Sequence, residues 1–451
     1  MKKLLLPLIG AMLSLSTFAR DINYTYEGQT LTYTVLDENA KTVETKQGMT
    51  INWTTGIPGN NINGELIIPS KITDGDEIYT VTSIGSCAFF GATRLTSVSI
   101  PESVTSIGEC AFQNCSALIS VVIPESVISI GYQTFSGCRS LTAVNIPKSV
   151  TYIESYTFSG CSSLTSVSIP ESVTSIGYSA FSDCTSLSSV NIPESVTSIS
   201  VGAFQICTSL TSVNIPESVT SIGDWAFFRC SSLTSINIPE SVTSIGNWTF
   251  SICTSLTSVN IPESVTSIGL CAFSACTSLT SINIPGSVTS IGESAFSGCH
   301  ALTSINIPES VTSIGDFAFW DCMSLETVIL PMNLETLGSW AFVSCGNIKE
   351  VVCNGATPVE NTSCVFDSNV YENATLHVPS DSANLYMTVS PWRYFYNIST
   401  GIDDVVADSD NDAPCEIFNL NGVKVADNAD NLPSGIYIRK SNGKSEKFIV
   451  R

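Results

Sequence analysis

A 23-residue repeat constrains this chain more than anything else in it. Proline recurs at Pro101, Pro124, Pro147, Pro170, Pro193, Pro216, Pro239, Pro262, Pro285, Pro308 and Pro331, with no insertion in the run. Phe89, Phe112 and onward to Phe342 keep the same spacing, as do the cysteines from Cys115 to Cys345. A fixed period of about 20 to 29 residues with an L-x-x-V-x-I core, as at Leu95 to Ile100, predicts a leucine-rich-type solenoid stacking one short parallel strand per coil. Val98 and Ile100 alternate with Ser97 and Ser99, so each strand turns one face inward. Pro101 and its equivalents lack the N–H that a longer ladder would need, so the chain turns at the same place in every coil. Leu95, Val104, Ile107, Ala111, Phe112 and Cys115 complete the inward set. Roughly twelve coils at about 4.8 Å each predict a ladder roughly 55 to 60 Å long.

The flanks read differently. Residues 1–19 have Lys2 and Lys3, an apolar run from Leu4 to Leu15, and Thr17, Phe18 and Ala19 before Arg20, the pattern of a cleavable signal peptide. No run approaches the ~20 apolar residues of a membrane helix, so no transmembrane segment is expected. Residues 20–80 predict a β-rich cap and an atypical first repeat, with Leu31 to Val35 alternating and turns at Asp37 to Asn39, Pro58 to Asn60 and Asn63-Gly64. Such a cap covers a core and a sheet edge that would otherwise meet water. The repeats proper occupy 81–352. Residues 353–400, with Ala374 to Pro379 and the aromatic Trp392 to Ile398, predict a closing cap; the acidic 401–413 reads as a linker. Residues 414–451 predict small β hairpins around Asn421-Gly422 and Asn442-Gly443.

Eighteen basic residues against 40 acidic ones leave a net charge of -22. That balance disfavours nucleic acid and anionic lipid as partners and favours basic proteins or divalent cations. Of 17 cysteines, eleven hold one register from Cys115 to Cys345, which suits a buried apolar ladder better than a disulfide framework or a zinc site. Cys87, Cys110 and Cys271 share a second, outward-looking register. Cys353 and Cys364 lie outside the ladder and are the better disulfide candidates, while Cys415 is unassigned.

Three outward rows carry what specificity the repeat permits. Strand positions are small and polar: Ser97 and Ser166 in one row, Asn191, Asn214, Asn237, Asn260, Asn283 and Asn306 in the next, able to hydrogen-bond along the ladder. After each proline runs a stripe of Glu102, Glu125, Glu171, Glu194, Glu217, Glu240, Glu263 and Glu309. It reads as a solvated face or as a site for basic partners, with Ca²⁺ conceivable but unsupported by any motif. A third row, just after the repeat glycine, varies from coil to coil and contains Tyr132, Tyr156, Tyr178, Trp225, Trp248, Phe317 and Trp340. These aromatics either pack on the next coil or form partner-binding hot spots.

The repeat resembles the BspA-like leucine-rich repeat proteins, whose pattern is close to L-x-x-[VI]-x-[IL]-P-x-S-[VL]-x-x-I-G-x-x-A-F-x-x-C, over about residues 62 to 352. The resemblance implies an exported solenoid, displayed at the cell surface, that binds proteins or host surfaces. Glu154 and Ser200 depart from the glycine, and Thr134, Thr157 and Thr249 from the alanine, departures that stacking should tolerate. Asn419 to Gly422, Leu432 to Tyr437 and the Lys447 to Arg451 ending resemble the sorting domain of type IX secretion cargo, which implies sorting to the cell exterior. No G-x-S-x-G elbow, H-E-x-x-H pair or phosphate loop is present, and His300 and His377 stand in a coil turn and a cap. A binding protein without cofactor is therefore expected rather than an enzyme; a carbohydrate-binding or degradative surface protein and a passive stalk are the alternatives.

Overall fold

The computed structural model describes residues 20–46 and 62–400, and beyond them four strands, Glu416–Asn419, Lys424–Ala426, Gly435–Ser441 and Lys444–Val450. The expected signal segment, the turn at Pro58, the linker at 401–413, Cys415 and the two Asn-Gly turns of the tail lie outside the described residues.

Seven strands build the amino-terminal end: β1 (Asp21–Tyr26), β2 (Gln29–Asp37), β3 (Thr42–Lys46), β4 (Asn63–Ile67), β5 (Lys71–Asp74), β6 (Glu77–Ile84) and β7 (Arg94–Ser99). The first three form an antiparallel meander. Strand β3 then pairs parallel with β6, and β6 pairs parallel with Ser106–Ile107. Strand β4 pairs parallel with β7. The cap therefore continues the solenoid's own hydrogen bonding instead of merely lying on its end.

Two parallel ladders run along the solenoid. The first is the expected one, stacking Val98 on Val121, Val144, Val167, Val190 and Val213. The second is made of two-residue Ser-Ile strands such as Ser106–Ile107 and Ser129–Ile130, in register one coil apart. The first ladder also outlasts the periodic sequence. Glu350–Cys353 pairs with Thr375–His377, and that with Asn397–Ser399, so the expected closing cap keeps the strand geometry of the coils.

Inside, the phenylalanines stack face to face from Phe89 to Phe342, centroids 5.1 to 5.7 Å apart. Phe366 adds one ring at 5.3 Å, and Tyr371 and Phe395 meet that ring edge-on while Trp392 lies tilted against it, closing the stack. Trp392 is buried and its indole N–H donates to the Val359 carbonyl at 2.8 Å, as a buried indole requires. Each ladder thiol is fully buried and donates to the carbonyl of the phenylalanine 26 residues earlier, from Cys115 to Phe89 (3.2 Å) through Cys345 to Phe319 (3.1 Å).

The departures from the repeat have local answers. Thr134, Thr157 and Thr249 are buried where alanine is usual, and their hydroxyls donate to the carbonyls of Gly131, Glu154 and Gly246 at 2.7, 2.7 and 2.9 Å. The repeat glycine lets the coils approach closely: a Cβ on Gly223 would lie 2.5 Å from the Val201 backbone nitrogen, although Ser200 carries a Cβ at this place and the second ladder runs through its coil unbroken. Where Glu154 does carry a Cβ, the second ladder is interrupted, between Ser129–Ile130 and Tyr152–Ile153. A further interruption, between Ser221–Ile222 and Ser244–Ile245, has no such substitution beside it. The tail is a small antiparallel sheet in which Glu416–Asn419 and Lys444–Val450 flank Gly435–Ser441.

Candidate partner-binding surface

Every coil passes through a left-handed residue two positions after the repeat glycine. Tyr156, Trp225, Trp248, Phe317 and Trp340 stand there with φ between 57° and 63°. Such a conformation costs a residue with a Cβ roughly 1–2 kcal/mol. Stacking imposes it: the N–H of Trp225 donates to the Asn247 carbonyl at 3.0 Å and that of Trp248 to the Leu270 carbonyl at 2.8 Å, one coil on. The aromatic side chains at this position leave the turn on the outer side, whereas the smaller Ser179 and Cys271 in the same column are buried.

This corrects the sequence reading, which placed all seven aromatics in one row. Tyr132 and Tyr178 directly follow Gly131 and Gly177 and belong to the neighbouring row. Two adjacent residues of one tight turn both face out, and their rings interleave between coils. The result is three clusters. Tyr156 lies 5.7 Å from Tyr132 and 5.1 Å from Tyr178. Burial, and then the Tyr178 hydroxyl, pushes the Tyr156 phenol above its ordinary value. Trp225 and Trp248 stack at 4.9 Å, 8° from parallel. Phe317 and Trp340 stack at 6.1 Å. Ser179 and Gly202, then Cys271 and Ser294, separate the clusters in the left-handed column.

Tyr132, Tyr178, Phe317 and Trp340 are exposed, whereas Tyr156, Trp225 and Trp248 are half-buried against their neighbours. Phe228 and Trp320 were missed. Phe228 packs edge-on to Trp225 at 4.8 Å, and Trp320 is exposed beside Phe317. Their signal was the residue after the core phenylalanine, often serine but aromatic at Phe228, Trp320 and also Phe90.

In the acidic stripe, Glu102, Glu125, Glu171, Glu194, Glu217, Glu240 and Glu263 are exposed and Glu309 is half-buried. Three have backbone partners: Glu125, Glu217 and Glu309 accept the N–H of Lys148 (3.1 Å), Glu240 (3.1 Å) and Met332 (2.6 Å), one coil on. Among the described residues no group of three or more His, Cys, Asp and Glu could hold a metal ion. On the strand face the Asn260 amide donates to Asn237 at 2.9 Å, and one coil breaks the polar rows with exposed Ile119 and Val122. His300 pairs with Asp321 at 3.0 Å. Cys353 and Cys364 do not pair: Cys353 is buried beside the Tyr386 hydroxyl, and the exposed Cys364 donates to the Phe366 carbonyl at 3.1 Å. The cap that turns Tyr386 inward also turns Cys353 away from the surface.

The family model for the BspA type leucine-rich repeat region matches residues 82–210, 174–290 and 268–381. The chain belongs to the BspA-type leucine-rich repeat proteins. Among solved structures, a leucine-rich repeat protein from Bacteroides ovatus is 30% identical with a TM-score of 0.51, covering 73% of this chain and 95% of that one. A leucine-rich cell surface protein from Faecalibacterium prausnitzii is 34% identical, also at 0.51, covering 73% and 94%. The pneumococcal vaccine antigen PcpA shares the fold at 20% identity, with a TM-score of 0.56 over 85% of this chain and 97% of that one. No curated protein matches the chain. As a BspA-type solenoid it presents the extended, repeated surface on which this architecture binds other proteins. No helix among its described residues is long and apolar enough to cross a membrane.

Proposed function

We propose that this BspA-type protein is exported, displayed at the cell surface and binds proteins of a host or neighbouring cell, without catalysing a reaction. The observation that carries the reading is the Trp225–Trp248 stack, edged by Phe228, in a left-handed column where Gly202 and Cys271 flank it in the adjoining coils. Rigid aromatic pairs at a half-exposed site supply binding area at low entropic cost. The acidic stripe adds long-range attraction for basic partners, weakened by salt. Export is supported by the amino-terminal charge and apolar pattern and by the surface-protein relative at 34% identity. The small antiparallel tail and its terminal motifs support a type IX sorting role. Deleting 414–451 should then keep the protein from the cell exterior, and amino-terminal sequencing of the exported form should begin at Arg20.

The binding reading is tested by capturing partners from extracted surface proteins on the purified chain, then measuring affinity for the Trp225→Ser, Trp248→Ser double variant. A loss of at least roughly tenfold, about 1.4 kcal/mol, is expected with the fold intact. Unchanged affinity, with a loss on replacing Asn237 and Asn260, would move the site to the strand face. Selective retention on a glycan array with no protein partner would favour the carbohydrate-binding alternative.

A further inference from the structure

Cys87 and Cys110 occupy the same left-handed column as Trp225 and Trp248, in two successive coils, with φ of 56° and 54°. The N–H of Cys87 donates at 2.8 Å to the carbonyl of Glu109, the residue just before Cys110. That bond sets their backbones one coil apart, about 4.8 Å, inside the roughly 4.4–6.8 Å Cα window of a disulfide. Side chains of this column leave the turn in parallel, as the stacked rings of Trp225 and Trp248 do at 4.9 Å. Both thiols are half-buried, so a small oxidant can reach them, unlike the fully buried ladder thiols. Burial, and then the adjoining Cys87 thiol, pushes Cys110 up to about 11. Its one other side-chain partner is a long contact to Gln133 Oε1 at 3.6 Å.

Among the described residues no other partly exposed thiol has this arrangement. Cys271, expected to look outward, is buried in the same column between Trp248 and Ser294, and Cys364 donates to the Phe366 carbonyl. The location matters mechanically. Cys87 lies two residues after Gly85, whose N–H bonds to the Thr45 carbonyl of β3, so the pair sits at the joint between cap and coils.

We propose that Cys87 and Cys110 form a disulfide that staples the first coil to the second at this joint, made by thiol–disulfide exchange with a disulfide-bearing oxidant. One cysteine thiolate attacks the oxidant's disulfide and expels one thiol. The second attacks the resulting mixed disulfide and expels the other. Two protein thiols and one oxidant disulfide thus give one protein disulfide and two oxidant thiols, and the two protons end on the leaving thiols.

The full chain is incubated with oxidised glutathione at about pH 8, alkylated in denaturant and digested with trypsin. Cleavage at Lys71, Arg94 and Arg139 puts Cys87 on peptide 72–94 and Cys110 on 95–139. The expected product is these two peptides as one species, separated by reduction, with Cys271 alkylated. Because 95–139 also carries Cys115 and Cys138, fragmentation of the linked species must place the bond on Cys110. In parallel, Cys110→Ser should abolish the link, and reduction should lower the melting temperature of the wild type but not of that variant. Cys87 and Cys110 recovered alkylated, or each capped by glutathione, overturns the proposal, as does a bond mapped to Cys115.

Discussion

The thiol of Cys207 donates to the carbonyl oxygen of Phe181, 26 residues earlier, at 3.3 Å. That carbonyl already accepts the N–H of Cys184 within its own coil, also at 3.3 Å. The ladder cysteine therefore fills the core and joins one coil to the one before it.

If the donor matters as well as the volume, Cys207→Ala should cost about 1–3 kcal/mol, combining a lost hydrogen bond with a small cavity. Cys207→Ser should cost no more than the alanine change, since its hydroxyl can still donate. Denaturant midpoints decide the order. A serine variant clearly weaker than alanine would reduce the thiol to an apolar filler.

Burial pushes the thiols from Cys115 to Cys299 above their ordinary value of 9.0, Cys115, Cys161, Cys253 and Cys299 up to about 12. The folded state holds these protons longer than the unfolded state, so its stability is intact below the unfolded value and falls as pH rises past it. Each buried thiol contributes a loss of about 1 kcal/mol between roughly pH 9 and 10, and nine act together. Urea unfolding should show a collapse of stability over that interval, and a flat profile would contradict the protonated ladder.

Two glycines should fail for different reasons. Gly298 has φ 72° and a Cβ added there meets nothing nearer than 3.5 Å, so Gly298→Ala should cost only the left-handed penalty of about 1–2 kcal/mol. A Cβ on Gly315 would lie 2.5 Å from the backbone nitrogen of Glu293, and Gly315→Ala must push coils apart. Thermal melts should find Gly315→Ala the more damaging by several kcal/mol.

Closing the phenylalanine stack should matter locally. Trp392→Ala removes a buried ring against Phe366 and Tyr386 and should cost about 3–5 kcal/mol. Hydrogen exchange should rise first at Asn397–Ser399, the last rung, while Val190 and Val213 stay protected.

The inward rows were legible because each coil repeats them: Leu95, Val98, Ile100, Phe112 and Cys115 recur in the same order until their burial follows from counting. The second ladder was not legible, since a two-residue strand such as Ser106–Ile107 has no alternation to read. The last rungs, at Leu376 and Ile398, were hidden because helix Ser368–Asn373 and the turns near Trp392 break the 23-residue spacing while the strands still pair. Tyr132 and Trp225 looked like one row because sequence distance from a glycine does not say which of two adjacent turn residues shares a column. Cys353, a disulfide candidate by its place outside the ladder, stays unpaired because the cap packs that thiol against Tyr386, a long-range contact.

The two ends of the solenoid are distinctive, but its middle is interchangeable. Residues 208–223 and 254–269 are identical, two coils apart. A crossover between such copies would delete or duplicate whole coils in frame, leaving both caps, both ladders and the phenylalanine stack intact. The length of the solenoid is thus a quantity that recombination can extend or shorten in fixed steps, independently of which aromatic cluster the surviving coils display.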